Sequence, residues 1–180
     1  VVCTITANGK TEKAYATLKP EYVSDARVMM INNNAGVRDS EKSINKAPIV
    51  KVEGAPKRTV KVGEPLTLTA FASDDGVPKA KPATTLAVGA NGSTGLRVAW
   101  FVYRGPGKVT FDPEQFNVYV DYRLKANTPW TPGWAPPPLP PGGMIPVNVT
   151  FSAPGTYVLR VQAHDGGLDS VQDVTVTVER

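Results

Sequence analysis

One cysteine and one histidine stand in this 180-residue chain, and each shortage removes a class of chemistry. A lone cysteine, Cys3, has no partner for an intrachain disulfide. With a single histidine, His164, far away in sequence, zinc lacks its usual three or four ligands. A Ser/His/Asp triad needs groups brought together by a rigid scaffold, whereas His164, Asp165 and Ser170 are neighbours in one turn. The expectation is a solvated turn histidine. No apolar run approaches 18 residues, so no segment reads as a membrane span. No four basic residues stand in a row and no aromatics interleave with them, which argues against nucleic acid. The basic excess is diffuse: residues 1–62 carry 11 Lys/Arg against 6 Asp/Glu, and residues 63–180 carry 9 against 10. No leader peptide is visible, but the chain starts in what reads as a strand, and a trimmed N-terminus would hide one.

What the sequence does have is turn formers. Its 17 prolines and 16 glycines suit many short strands more than helices. The clearest pattern closes the chain. Tyr157, Leu159, Val161 and Ala163 alternate, as do Val171, Asp173 and then Val174, Val176 and Val178, with the cluster His164–Ser170 between them. Period-2 alternation around a Gly/Asp turn predicts a β-hairpin with one buried face. A hairpin alone is marginal in water, so it must close a larger sheet structure. Pro154-Gly-Thr-Tyr157 opens its first strand in the manner of a tyrosine corner, whose hydroxyl ties back to upstream backbone.

A second hairpin is predicted over residues 1–19, with Asn8-Gly9 as its turn. It can be laid over the first: Cys3, Ile5 and Ala7 fall on Leu159, Val161 and Ala163. This reads as an internal repeat whose first copy keeps only its last two strands. Two extra strands added to a single domain are the alternative. Residues 20–46 read as a polar linker, broken only by Val28-Met-Met-Ile31, with a charged, solvated stretch at Arg38–Ser43.

The full domain is expected over 47–180. Ile49–Val52 is a first strand that Arg58–Val62 continues. Leu66–Ser73 faces Leu66, Leu68, Ala70 and Ala72 inward. Leu96–Tyr103 is the central strand, with Leu96, Val98, Trp100 and Val102 inward and the indole in the core. Lys108–Phe111 is short, Phe116–Tyr122 is a candidate strand, and Met144–Phe151 resumes the alternation. Insertions are expected at 77–95 and 123–143, the second rich in Pro and Trp and polyproline-like.

Taken together, Ala47-Pro-Ile-Val, Val62-Gly-Glu-Pro-Leu-Thr-Leu-Thr-Ala, Ser73-Asp-Asp-Gly, Val98-Ala-Trp100, Val149-Thr-Phe and Pro154-Gly-Thr-Tyr-Val-Leu-Arg-Val resemble PKD-type immunoglobulin-like domains. The resemblance covers 47–180. It implies an all-β, antiparallel β-sandwich with Trp100 and Tyr157 as core anchors. It also implies an extracytoplasmic setting (secreted, periplasmic or cell-surface) and a non-enzymatic role as spacer or binding module. In such domains the penultimate strand often carries a Cys where Cys3 stands, which makes residues 1–19 the tail of a preceding unit. A lipidated Cys3 is a further reading, though Val1-Val2 matches a lipobox poorly.

Three candidate sites follow. Asp74 and Asp75 leave one strand end and Asp165 and Asp169 sit in the closing turn, so hard oxygen ligands from two loops can hold Ca²⁺. Turn chemistry alone also explains aspartates there. Trp130 and Trp134, with Tyr119 and Tyr122 upstream, can stack on a carbohydrate or a protein partner, or fold back as a lid on the sheet. The apolar row Cys3, Ile5, Ala7, Tyr15 and Leu18 is the candidate assembly surface, its partner being protein, including copies of the same chain. An enzymatic reading would need Asp112, Glu114 and Asp121 to converge. Asn91-Gly-Ser and Asn148-Val-Thr match the glycosylation pattern and carry little weight.

Overall fold

The computed structural model describes residues 2–15, 37–82, 94–115 and 138–180. In chain order the elements are β1 (Val2–Ala7), β2 (Lys10–Tyr15), α1 (Asp39–Lys42), β3 (Ile49–Val52), β4 (Lys57–Lys61) and β5 (Leu66–Ser73). They continue with β6 (Arg97–Arg104), β7 (Val109–Asp112), β8 (Met144–Phe151), β9 (Gly155–His164) and β10 (Asp169–Glu179). A 3₁₀ turn at Pro141–Gly143 leads into β8.

Alternation decides which residues meet. Leu68, Ala70 and Ala72 of β5 and Val147, Val149 and Phe151 of β8 are buried on one side of their sheet. Tyr157, Leu159, Val161 and Ala163 of β9 and Val174, Val176 and Val178 of β10 are buried on the facing side of the other. Trp100 of β6 completes one continuous core between the layers, with Leu96, Val98 and Val102 packed against it. The expected inward rows of β5, β6 and β8 are therefore the observed ones. Val171 differs. It belongs to the opposite parity from Val174 and points outward, exposed.

Two four-stranded sheets form, in the orders β3-β5-β8-β7 and β4-β10-β9-β6. All pairings are antiparallel except β4 with β10, which is parallel. This is the A-B-E-D sheet of an immunoglobulin-like sandwich facing A′-G-F-C. Arg58–Val62 thus does not continue the first strand within one sheet, as expected from sequence. The chain crosses from β3 in one layer to β4 in the other, and Val52 N–H is bonded to Gln172 Oε1 (2.8 Å) across that crossing. The physical reason is edge closure. One segment terminates both sheets on that side, and the β4 edge carries Lys57, Arg58 and Lys61, charges that discourage further strand pairing.

The tyrosine corner is present. Tyr157 is fully buried, donates its hydroxyl to Ala153 O (2.8 Å), and stacks obliquely on Phe151 with ring centroids 4.8 Å apart. Gly105 lies against the ring so closely that a Cβ there would overlap it. Tyr157→Phe is expected to cost about 1–2 kcal/mol, because it removes one buried hydrogen bond while keeping the ring. A urea melt of the variant reads this directly, and a cost near zero would show that the corner is ornamental.

The N-terminal hairpin stands as a two-stranded sheet of its own, turned at Asn8 and Gly9, both with positive φ (52° and 72°). That is the backbone an Asn-Gly turn suits. Its register pairs Cys3 with Ala14, Ile5 with Glu12 and Ala7 with Lys10, but Val2 with Tyr15. Tyr15 therefore falls on the other row from Cys3, Ile5 and Ala7, contrary to the expected single apolar face. Counting along β2 from the turn shows why: residues sharing the Ile5 row are the even-numbered ones. Leu18 lies outside the described residues, as do Phe116–Tyr122.

Residues 37–46 are docked, not a free linker. The stretch read as charged and solvated forms the one-turn helix α1, where Glu41 Oε2 accepts the Arg38 N–H (3.0 Å). Glu41 Oε1 also accepts the Lys79 N–H (3.3 Å), and Asp75 Oδ2 accepts the Lys46 N–H (3.2 Å). Val37 is buried. Among the described residues no helix is long and apolar enough to cross a membrane.

Candidate functional site

Polar chemistry concentrates at one end of the sandwich, where β5 finishes, β6 begins and β9 turns into β10. The inward row of β5 runs Leu68, Ala70, Ala72 and then Asp74, and that of β9 runs Val161, Ala163 and then Asp165. Two carboxylates thus cap the core rows. Asp165 is fully buried; its Oδ1 accepts the N–H groups of Gly167 (2.5 Å) and Leu168 (2.7 Å), closing the turn. Its Oδ2 and Asp74 Oδ1 are buried without a hydrogen-bond partner. Burial first, and then the negative charge of Asp165 and Asp75, push the Asp74 carboxyl above its ordinary range.

Beside this pair lie Arg97 and His164, cross-strand partners on the outward rows of β6 and β9. Both are only 3% exposed. Burial lowers Arg97 to about 10, so it stays charged at neutral pH, while Asp165 pulls the other way. Burial and the Arg97 charge hold His164 down at about 3, so its ring is neutral. The ring accepts the Gly166 N–H at Nδ1 (2.8 Å), and Arg97 Nη2 lies 3.5 Å from the same atom. The solvated turn histidine expected from sequence is thus a buried, neutral acceptor. A place in the closing turn suggested water, but the outer face of this sheet is covered there: Ala99, Phe101 and Gln162 are buried as well. No sequence signal marks that cover.

Further along the same outer face the surface opens. Arg160 of β9 holds Asp173 of β10 through two bonds (2.7 and 2.8 Å), and its guanidinium lies 3.8 Å from the ring centroid of Tyr103 on β6. This ladder ties three strands together and satisfies itself. Opposition across strands is what brings it together, since Arg160 faces Phe101 and Asp173 in register.

The sequence-predicted sites fare differently. Asp74 and Asp165 do meet at the expected end. Asp75 instead accepts the Val77 N–H (2.9 Å) as well as that of Lys46, and Asp169 accepts from Gln162 Nε2 (2.8 Å). Among the described residues no three His, Cys, Asp or Glu side chains converge in an arrangement that could hold a metal ion. Asp112, the last residue of β7, and Glu114 just beyond it are exposed, and Asp121 lies outside the described residues. Trp130, Trp134, Tyr119 and Tyr122 also lie outside them. Trp100 is in the core as expected, and its backbone N–H is bonded to Gln115 Oε1 (3.1 Å). Ile5 is 57% exposed, and Ala7 is exposed too.

No family model matches the chain, and no curated protein matches it. Among solved structures, domains 4 and 5 of the S-layer protein SbsC are similar at 14% identity and a TM-score of 0.37; the match covers 74% of this chain and 54% of that one. A conjugative transposon lipoprotein from Bacteroides eggerthii DSM 20697 is similar at 12% identity and a TM-score of 0.38, over 71% of this chain and 95% of that one. The D00-D0 domain of intimin is similar at 13% identity and a TM-score of 0.37, covering 76% and 49%. The chain thus spans about half of the S-layer fragment. TM-scores this low establish no shared fold, and the immunoglobulin-like assignment rests on strand order.

Proposed function

We propose that this chain is a non-enzymatic structural or interaction module of an extracytoplasmic protein. Residues 47–180 form its rigid sandwich, of the PKD-type variety. Residues 1–19 belong to, or seek, a neighbouring β-surface, on another unit of the same protein or on a second copy. The observation that carries this reading is the β1–β2 hairpin. Two strands cannot cover their own faces and are marginal in water, yet this pair forms a separate sheet with Ile5 57% exposed. Its described link to the sandwich is the exposed ion pair of Glu12 with Arg104 (2.6 Å), a contact worth little by itself. The central Trp100 and the Gly155-Thr-Tyr157 opening of β9 support the PKD-type reading. The non-enzymatic reading is supported by His164, which spends its Nδ1 on the Gly166 backbone N–H.

Deleting residues 1–19 tests this. With the hairpin as assembly element, light scattering is expected to show the full chain associating with concentration and the deleted chain monomeric. The melting temperature of the sandwich should hold to within a few degrees. A full-length chain that is monomeric at all concentrations, with a melt unchanged by the deletion, would reduce the hairpin to a passive remnant.

A further inference from the structure

The turn between β9 and β10 binds together three parts of the sandwich end. Asp165 O accepts the Gly95 N–H (2.6 Å), so the turn holds the segment that enters β6. That segment is held in its turn to the end of the β5 loop: Thr94 and Lys81 exchange backbone bonds (3.0 and 3.1 Å), and Thr94 Oγ1 donates to Lys79 O (2.7 Å). The turn keeps its shape through Asp165 Oδ1 and through His164 Nδ1, which accepts the Gly166 N–H. An imidazole nitrogen accepts only when it carries no proton.

We propose that this turn is an acid-sensitive latch, with His164 as the element that releases it. Every described group directed at Nδ1 is a donor: the Gly166 N–H and the Arg97 guanidinium. A proton added there would point an N–H at both. The ring can take up a proton only by leaving its place, which breaks the Gly166 bond and loosens Asp165–Leu168 and Thr94–Gly95 with it. The charged groups around the ring set the sign. Arg97 on β6 opposes the proton. Asp169, opposite His164 on β10, is tied to Gln162, and Asp165 faces its own turn amides. Asp74, beyond β5, responds in the opposite sense, because its protonation relieves repulsion from Asp165. Burial first, and then its negative neighbours, raise that carboxyl, so its response opposes the histidine's, and the His164→Asn variant, which keeps Asp74, separates the two.

The test uses the intact chain, whose one histidine gives a single set of imidazole proton signals. In the folded protein these signals are expected not to titrate between pH 7.5 and pH 4.5. Over the same range hydrogen exchange should show the latch loosening: protection factors at the Gly95 and Gly166 amides fall roughly 25-fold from pH 7 to pH 5. His164→Asn keeps an acceptor oxygen near the position of Nδ1 and cannot titrate, so its protection factors should not change with pH. A ring that titrates near pH 6.5 in the folded state overturns the proposal. So do wild-type protection factors that stay constant, or an Asn variant that loosens as the wild type does. If the variant does not fold, the wild-type titration and exchange decide alone.

Discussion

Replacing Trp100 by alanine is expected to remove about 3–5 kcal/mol of stability, the largest loss from any single core truncation. The indole is fully buried at the centre of the cluster that both sheets share. Truncation leaves a cavity that neither layer can close without abandoning its register. Such a loss is a large part of what a domain of this size has in reserve, on the order of 5–15 kcal/mol. Trp100→Phe should cost much less, about 1–2 kcal/mol. The reason is specific: Nε1 of Trp100 is buried without a hydrogen-bond partner, so phenylalanine forfeits volume and no bond. Urea melts of the two variants check both figures. An alanine cost below about 1 kcal/mol would mean that the β6 register is wrong.

Acid should destabilise the fold well above the carboxylate range. His164 is held at about 3 in the native state against an ordinary 6.5. Between those values the unfolded chain binds a proton that the folded chain refuses, so stability rises with pH through that window. The contribution is complete above about pH 6.5 and is lost progressively as pH falls toward 3. At ~1.4 kcal/mol per pH unit, the whole fall removes on the order of 5 kcal/mol. Asp74 acts the other way. Its raised carboxyl takes up a proton sooner in the folded state, which returns part of the loss as pH falls. The unfolding free energy from urea melts at pH 7, 6, 5 and 4 should therefore decline steadily in the wild type. In His164→Asn it should be nearly level from pH 7 to 5. Equal slopes in the two proteins would remove His164 as the cause.

Several elements were legible from sequence because they depend on local spacing alone. The inward rows of β5, β6, β8 and β9 follow from the period-2 pleat. Trp100 and Tyr157 follow from their places on those rows, and the Asn8-Gly9 turn from backbone sterics. These statements need only to know what lies two residues away. The exchange of layers between β3 and β4 is of another kind. Both segments read as strands, and only the finished sandwich shows that one segment closes both sheet edges. The parity of Tyr15 was open for a similar reason, since register is set by pairing across the turn.

The candidate site was least legible. Asp74 and Asp165 could be placed at one end by topology, but turn amides, Lys46 and Gln162 claim much of the acidic set, and hydrogen-bond geometry has no footprint in spacing. The burial of Arg97 and His164 had none either. By itself the sequence determined which side of β5, β6, β8 and β9 is apolar, because that is a one-dimensional pattern. The tertiary structure alone decided which outward-facing residues lose water, because cover comes from segments distant in the chain. That loss of water is what turns an ordinary histidine into a group that refuses its proton.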